Sequence, residues 1–115
     1  MKEREYTALP QDEMRIMRIA FDVDGTLRCN CTDTCERSNL DIVVLFRLLA
    51  AFKNTELYVW SGQGKEHAER FSELFELPIA RTRCISKFDA PKMDIAVDDI
   101  HATNLADKNL IVRCK

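Results

Sequence analysis

Apolar and polar positions change their spacing several times along the chain, and each change predicts an element. The stretch RIMRIAFDV, residues 15–23, alternates and then runs continuously apolar, the pattern of a central strand covered on both faces. A polar segment, Arg28 to Arg37, follows with neither strand nor helix spacing. SNLDIVVLFRLLAAF then offers Ser38 or Asn39 as an N-cap and an apolar stripe through Leu40, Val44, Leu48 and Ala51, which predicts a core-packed helix. TELYVW, Thr55 to Trp60, is β-branched and aromatic and reads as a second strand, broken by SGQG. KEHAERFSELF predicts a second helix with Ala68, Phe71, Leu74 and Phe75 on one face. PIARTRCI is a short strand or a loop, MDIAVDDI is a compact strand, and NLIVRCK a last one.

Strands alternating with helices predict an α/β fold, a Rossmann-like three-layer sandwich around a mainly parallel sheet of about five strands. Residues 1–14 carry no sustained period and read as an N-terminal arm, leaving one domain over 15–115. In such sheets ligands bind beyond the carboxyl ends of the strands, where the strand order reverses. Three predicted strands end in DVDG, SGQG and DDIH, so their polar tips share one edge.

Composition narrows the classes without naming a function. At 115 residues and 46% hydrophobic the chain builds one core. A net charge of −2, with both signs interspersed, gives no global basic field for nucleic acid, which stays open only as a local substrate. No apolar run approaches the roughly 20 residues that span a bilayer, and no signal-peptide core is visible, so the expected address is the cytoplasm, with no membrane partner. Cys29, Cys31, Cys35, Cys84 and Cys114 make an odd count, for which reduced thiols are expected rather than a disulfide framework. CNCTDTC lacks the paired C-x2-C knuckles of zinc sites, and zinc at Cys29, Cys31 and Cys35 is a minor alternative.

The chemistry lies at the strand tips. Asp22 follows Ile19, Ala20 and Phe21, where an ion is costly to bury without a partner, and Asp24 stands two residues on, before Gly25. Asp98 and Asp99 end the IAVDD strand. Four carboxylates in one crevice do not all ionise unless a cation neutralises them, and an all-oxygen donor set suits Mg²⁺ completed by phosphate oxygens.

These motifs, in this order, resemble those of the haloacid dehalogenase (HAD) superfamily of phosphotransferases. FDVDGTL is similar to its first motif, YVWSG to its second and IAVDD to its fourth, while Lys87, or alternatively Lys92, stands for the lone lysine of the third. The resemblance spans nearly the whole domain and implies a phosphatase. Asp22 would attack phosphorus to form an aspartyl-phosphate, and Asp24 would protonate the leaving oxygen and then activate water. Mg²⁺ would be held by Asp22, the Asp24 carbonyl and the acid pair, with Asp99 preferred to Asp98. Ser61, Gly62, Thr26 and the lysine would hold the phosphoryl oxygens. Strand direction favours Lys87, because Lys92 sits where the IAVDD strand starts.

The resemblance also frames the alternatives. The interval between Asp22 and Ser61 holds only one helix and a short insert, 28–37, in place of a cap. Capless relatives act on macromolecules or assemble into oligomers, so the expected partner is a phosphorylated small molecule or a nucleic-acid end, with room for a homo-oligomer. A polynucleotide-end phosphatase and a catalytically idle HAD-fold binding module are the competing readings. At the level of single residues, Ser61 also reads as a helix N-cap, Arg28 as either a contact to a substrate phosphate or a solvated cation, His101 as an ordinary helix-start residue, and His67 and Trp60 as helix-flank and core positions.

Overall fold

The structure is a computed structural model and describes residues 15–29 and 34–114; the expected arm, 1–14, and Cys31 lie outside the described residues. Five strands, β1 (Met17–Asp22), β2 (Thr55–Ser61), β3 (Cys84–Ser86), β4 (Met93–Asp98) and β5 (Ala106–Ile111), form one sheet in the order β3-β2-β1-β4-β5. Every neighbouring pair is parallel. This is a Rossmann-like α/β arrangement, and the order reverses at β1, between β2 and β4.

Two helices, α1 (Leu40–Ala50) and α2 (Lys65–Leu74), link β1 to β2 and β2 to β3. In β1, Ile19 and Phe21 face one side; they lie in register with Leu57 and Val59 of β2 and with Ile95 and Val97 of β4. That row packs with Val43 and Phe46 of α1 and Ala68 and Phe71 of α2 in one core. Phe21 and Phe46 meet edge to face with ring centroids 4.9 Å apart. Both are fully buried, so truncating either to alanine removes about 3–5 kcal/mol.

The other face of the sheet carries no helix among the described residues. Ala20, Trp60, Met93 and Ala96 are instead covered by Ala90, Ala102 and Leu105, from the links that follow β3 and β4. These links hold only 3-10 turns, Lys87–Asp89 and Thr103–Leu105. The third layer of the expected sandwich is therefore irregular chain, and the small residues Ala20 and Ala96 let it lie close.

The packing face of α1 differs from the expected one. Leu40, Val44, Leu48 and Ala51 are exposed, while Val43 and Phe46 are buried and Ile42, Leu45 and Leu49 pack beside them. The helix is apolar almost all round, so its spacing offers two stripes, and the sheet takes the one bearing Phe46. Asn39 is the N-cap residue, although its side chain makes no cap hydrogen bond. In α2, Ala68 and Phe71 are buried as expected, but Leu74 is largely exposed. PIARTRCI becomes a 3-10 turn, Arg81–Arg83, and the three-residue β3, and β5 begins at Ala106 rather than Asn109.

The insert after β1 is closed at its neck by an antiparallel bridge between Arg28 and Ser38, with Cys29 N donating to the Arg37 carbonyl at 2.8 Å. The expectation of reduced thiols is overturned here. Cys29 forms a disulfide with Cys114, and Cys35 is disulfide-bonded as well. The cause is topological: β5 lies beside β4 at the sheet edge, and the chain leaving it passes Cys29 with the Cα atoms 5.5 Å apart, within bridging range. Cys84 is a buried free thiol. Among the described residues no helix is long and apolar enough to cross a membrane.

Candidate functional site

The site is built at the carboxyl end of β1, where the strand order reverses. Beyond Asp22 the chain turns at once: Thr26 N and Arg28 N both donate to the Val23 carbonyl, at 3.2 and 2.8 Å, and Gly25 N donates to the Arg28 carbonyl at 2.8 Å. Gly25 adopts φ +83°, which a side chain rarely tolerates, and a Cβ there would collide with the Asp99 carboxylate. Glycine is thus needed both for the turn and for the approach of the fourth strand's acid to the first strand's loop.

That approach gathers three carboxylates. One oxygen each from Asp22, Asp98 and Asp99 lie within 4.8 Å of one another, Asp22 and Asp98 buried and Asp99 partly exposed. Lys87 reaches the cluster from the turn after β3, its Nζ donating to Asp98 Oδ2 at 2.7 Å. The other Asp98 oxygen accepts from Ile100 N at 3.2 Å. Burial first, and then the Asp98 charge, push the Asp22 carboxyl up to about 8, with Lys87 pulling the other way. Burial and the neighbouring Asp98 also raise Asp99.

Asp24 belongs to a separate set of contacts. Arg28 Nη1 donates to its Oδ1 at 2.7 Å, Gln63 Nε2 donates to its Oδ2 at 2.7 Å, and His67 Nε2 lies 3.1 Å from Oδ1. Burial raises this carboxyl, but the hydrogen bonds from His67 and Arg28 outweigh it and hold Asp24 below its ordinary range. Two acids two residues apart are therefore driven in opposite directions, one toward the neutral and one toward the charged form.

Ser61 ends β2 and is buried, its Oγ accepting from Gln63 N at 2.9 Å in a local turn, while the N-cap residue of α2 is Gly64. Gly62 is exposed beside it. Thr26 is fully buried, and its hydroxyl has no hydrogen-bond partner among the described residues. Lys92 stands apart from the cluster and pairs with Asp107 of β5 at 2.8 Å. His101 accepts from Thr103 N at 2.9 Å, a turn contact. Arg28 is buried and paired with Asp24 rather than solvated, and the sequence did not point to Gln63 or His67 as further partners of that carboxylate. For His67 the contact spans 43 residues of chain and leaves no local pattern; for Arg28 the i, i+4 spacing from Asp24 was a visible signal.

The donor set fits a small divalent cation. Asp22, Asp98 and Asp99 bring three acids against the single ammonium of Lys87, so full ionisation leaves an excess of two negative charges. All three are hard oxygen donors of the kind Mg²⁺ takes. The zinc alternative loses two of its three cysteine ligands, since Cys29 and Cys35 are held in disulfides. Compared with known proteins, the chain matches no family model, no curated relative and no solved structure.

Proposed function

We propose that the protein is a Mg²⁺-dependent phosphomonoester hydrolase of the HAD type, with Asp22 as the nucleophile. One observation carries this reading: the strand-end Asp22 shares a crevice with Asp98, Asp99 and Lys87, three carboxylates with oxygens within 4.8 Å of one another, and Asp24 stands two residues beyond it on partners of its own.

Asp22, Asp98 and Asp99 would hold the cation, which when bound neutralises the acids and draws charge from the phosphoryl oxygens. An oxygen of Asp22 attacks phosphorus as the bond to the leaving oxygen breaks, giving an acyl phosphate on Asp22. The leaving oxygen takes a proton from Asp24. The incoming phosphate dianion adds like charge beside Asp24, which favours the protonated form this step needs. Asp24, now a carboxylate, removes a proton from water, the hydroxide attacks phosphorus, and the bond to Asp22 breaks. Ester and water thus yield alcohol and phosphate, with Asp22 and Asp24 restored. Lys87 and Ser61 would steady the phosphoryl oxygens.

With the insert short, the substrates this site suits are a phosphorylated small molecule or a nucleic-acid end. A screen of phosphate esters, from p-nitrophenyl phosphate through nucleotides to 3′- and 5′-phosphorylated oligonucleotides, with and without Mg²⁺, tests the proposal. Turnover that needs Mg²⁺ and is absent in Asp22→Asn supports it. Mg²⁺ binding with no turnover of any ester would favour the idle binding module.

A further inference from the structure

Arg28, from the loop of Asp24 itself, and Gln63 and His67, from the turn and helix that follow β2, close on one carboxylate, and none of them takes part in the reaction steps above. Both oxygens of Asp24 are held: Oδ1 by Arg28 at 2.7 Å, Oδ2 by Gln63 at 2.7 Å, and His67 Nε2 straddles the two at 3.1 and 3.2 Å. Donors on both oxygens fix the plane of a carboxylate as well as its place.

The grip is itself braced. Arg28 is buried, its Nε donating to the Cys35 carbonyl at 2.6 Å and its guanidinium lying 5.1 Å from the centroid of the Phe71 ring. The His67 ring packs on the same phenyl group, centroid to centroid 5.0 Å, and Phe71 is a buried member of the main core. One buried aromatic side chain therefore backs two of the three donors. The loop does not need His67 to stay closed, because its backbone hydrogen bonds and the Arg28 pair already join Asp24 to its own turn. Ordering a histidine from another element onto that carboxylate costs side-chain entropy that closing the turn does not require. Proton transfer, by contrast, depends on placement to a fraction of an ångström. The Asp24 side chain also keeps 24% of its surface open, so the three donors leave it a free side.

We infer that His67 is a positioning residue: braced by Phe71 and acting with Arg28 and Gln63, it holds the Asp24 side chain in the one rotamer from which it serves the leaving oxygen. This rests on the phosphatase reading, in which Asp24 is the general acid. His67 is the member to test, since Arg28 also closes the loop.

The experiment is single-turnover release of the leaving group from an alkyl phosphate and from p-nitrophenyl phosphate, with the full chain and Mg²⁺. The variants are His67→Ala, His67→Gln, Asp24→Asn and the double variant, with Asp22→Asn as control. His67→Ala should slow the alkyl ester at least about 10-fold more than the aryl ester, in the same sense as Asp24→Asn. It should add nothing to Asp24→Asn, and His67→Gln, which returns a donor, should recover most of the loss. If His67→Ala does not fold, the shorter His67→Asn replaces it against His67→Gln. Equal slowing of both esters, or a full further loss in the double variant, while Asp22→Asn is inactive, overturns the role of His67 and leaves the phosphatase standing. Turnover that survives in Asp22→Asn, or none in the unaltered protein, overturns both.

Discussion

Lys87 donates to Asp98 at 2.7 Å, and the two side chains are 9% and 0% exposed, so the ammonium is the counter-charge the buried acid depends on. Removing one partner of such a pair strands the other, at about 3–5 kcal/mol. Lys87→Met should therefore lower stability by that order in urea titrations and abolish turnover together, whereas Lys92→Met, an exposed change, should do neither. A stable Lys87→Met protein of normal activity would remove the lysine from the site.

Gly25 meets two demands, a positive φ and room for Asp99. Gly25→Ala should cost at least about 1 kcal/mol of stability, and it should weaken Mg²⁺ binding in calorimetry because Asp99 must move. Unchanged Mg²⁺ affinity would show that Asp99 is not held there for the ion.

The strand tips were legible because a buried parallel strand that ends in acids breaks the apolar pattern abruptly, as Asp22 does after Phe21 and Asp98 after Val97. The face of α1 was not, because an apolar residue stands at nearly every position and the period no longer selects a side. Nor were the partners of Asp24, since Gln63 and His67 are brought to it by the β1-β2 pairing and not by sequence spacing. The Cys29 to Cys114 bond belongs to the same class, a contact set by where β5 joins the sheet.

That disulfide closes a loop with a sequence separation of 85, for which chain-entropy arguments give roughly 4–5 kcal/mol. Reduction, or Cys114→Ser, should lower the urea midpoint accordingly and steepen the transition, because the unfolded chain is freed to expose more surface. A reducing cytoplasm opposes such a bond, so the redox state of the pair in the cell also tests the expected address. No change on reduction would mean that the two cysteines do not pair.

Asp22 gives the fold a defined pH dependence. Its folded-state pKa, about 8, lies above the ordinary 3.8, so the folded chain keeps a proton that the unfolded chain releases. Its contribution is full below about pH 4 and is lost as pH rises through 8. In chelator, stability should fall across that window, and Asp22→Asn should flatten the fall. Mg²⁺ should raise Tm more at pH 8 than at pH 5, because the cation favours the ionised acid. A Mg²⁺ shift independent of pH would separate the cation from Asp22.

The central claim is that Asp22 carries the phosphoryl group, and rapid acid quenching during turnover of a phosphate ester, followed by peptide mass spectrometry, tests it most directly. The prediction is a phosphoryl adduct on Asp22 that forms only with Mg²⁺, appears before alcohol and phosphate release are complete, and is absent in Asp22→Asn. Mg²⁺-dependent hydrolysis with no adduct on Asp22, at quench times that capture the first turnover, would contradict the account.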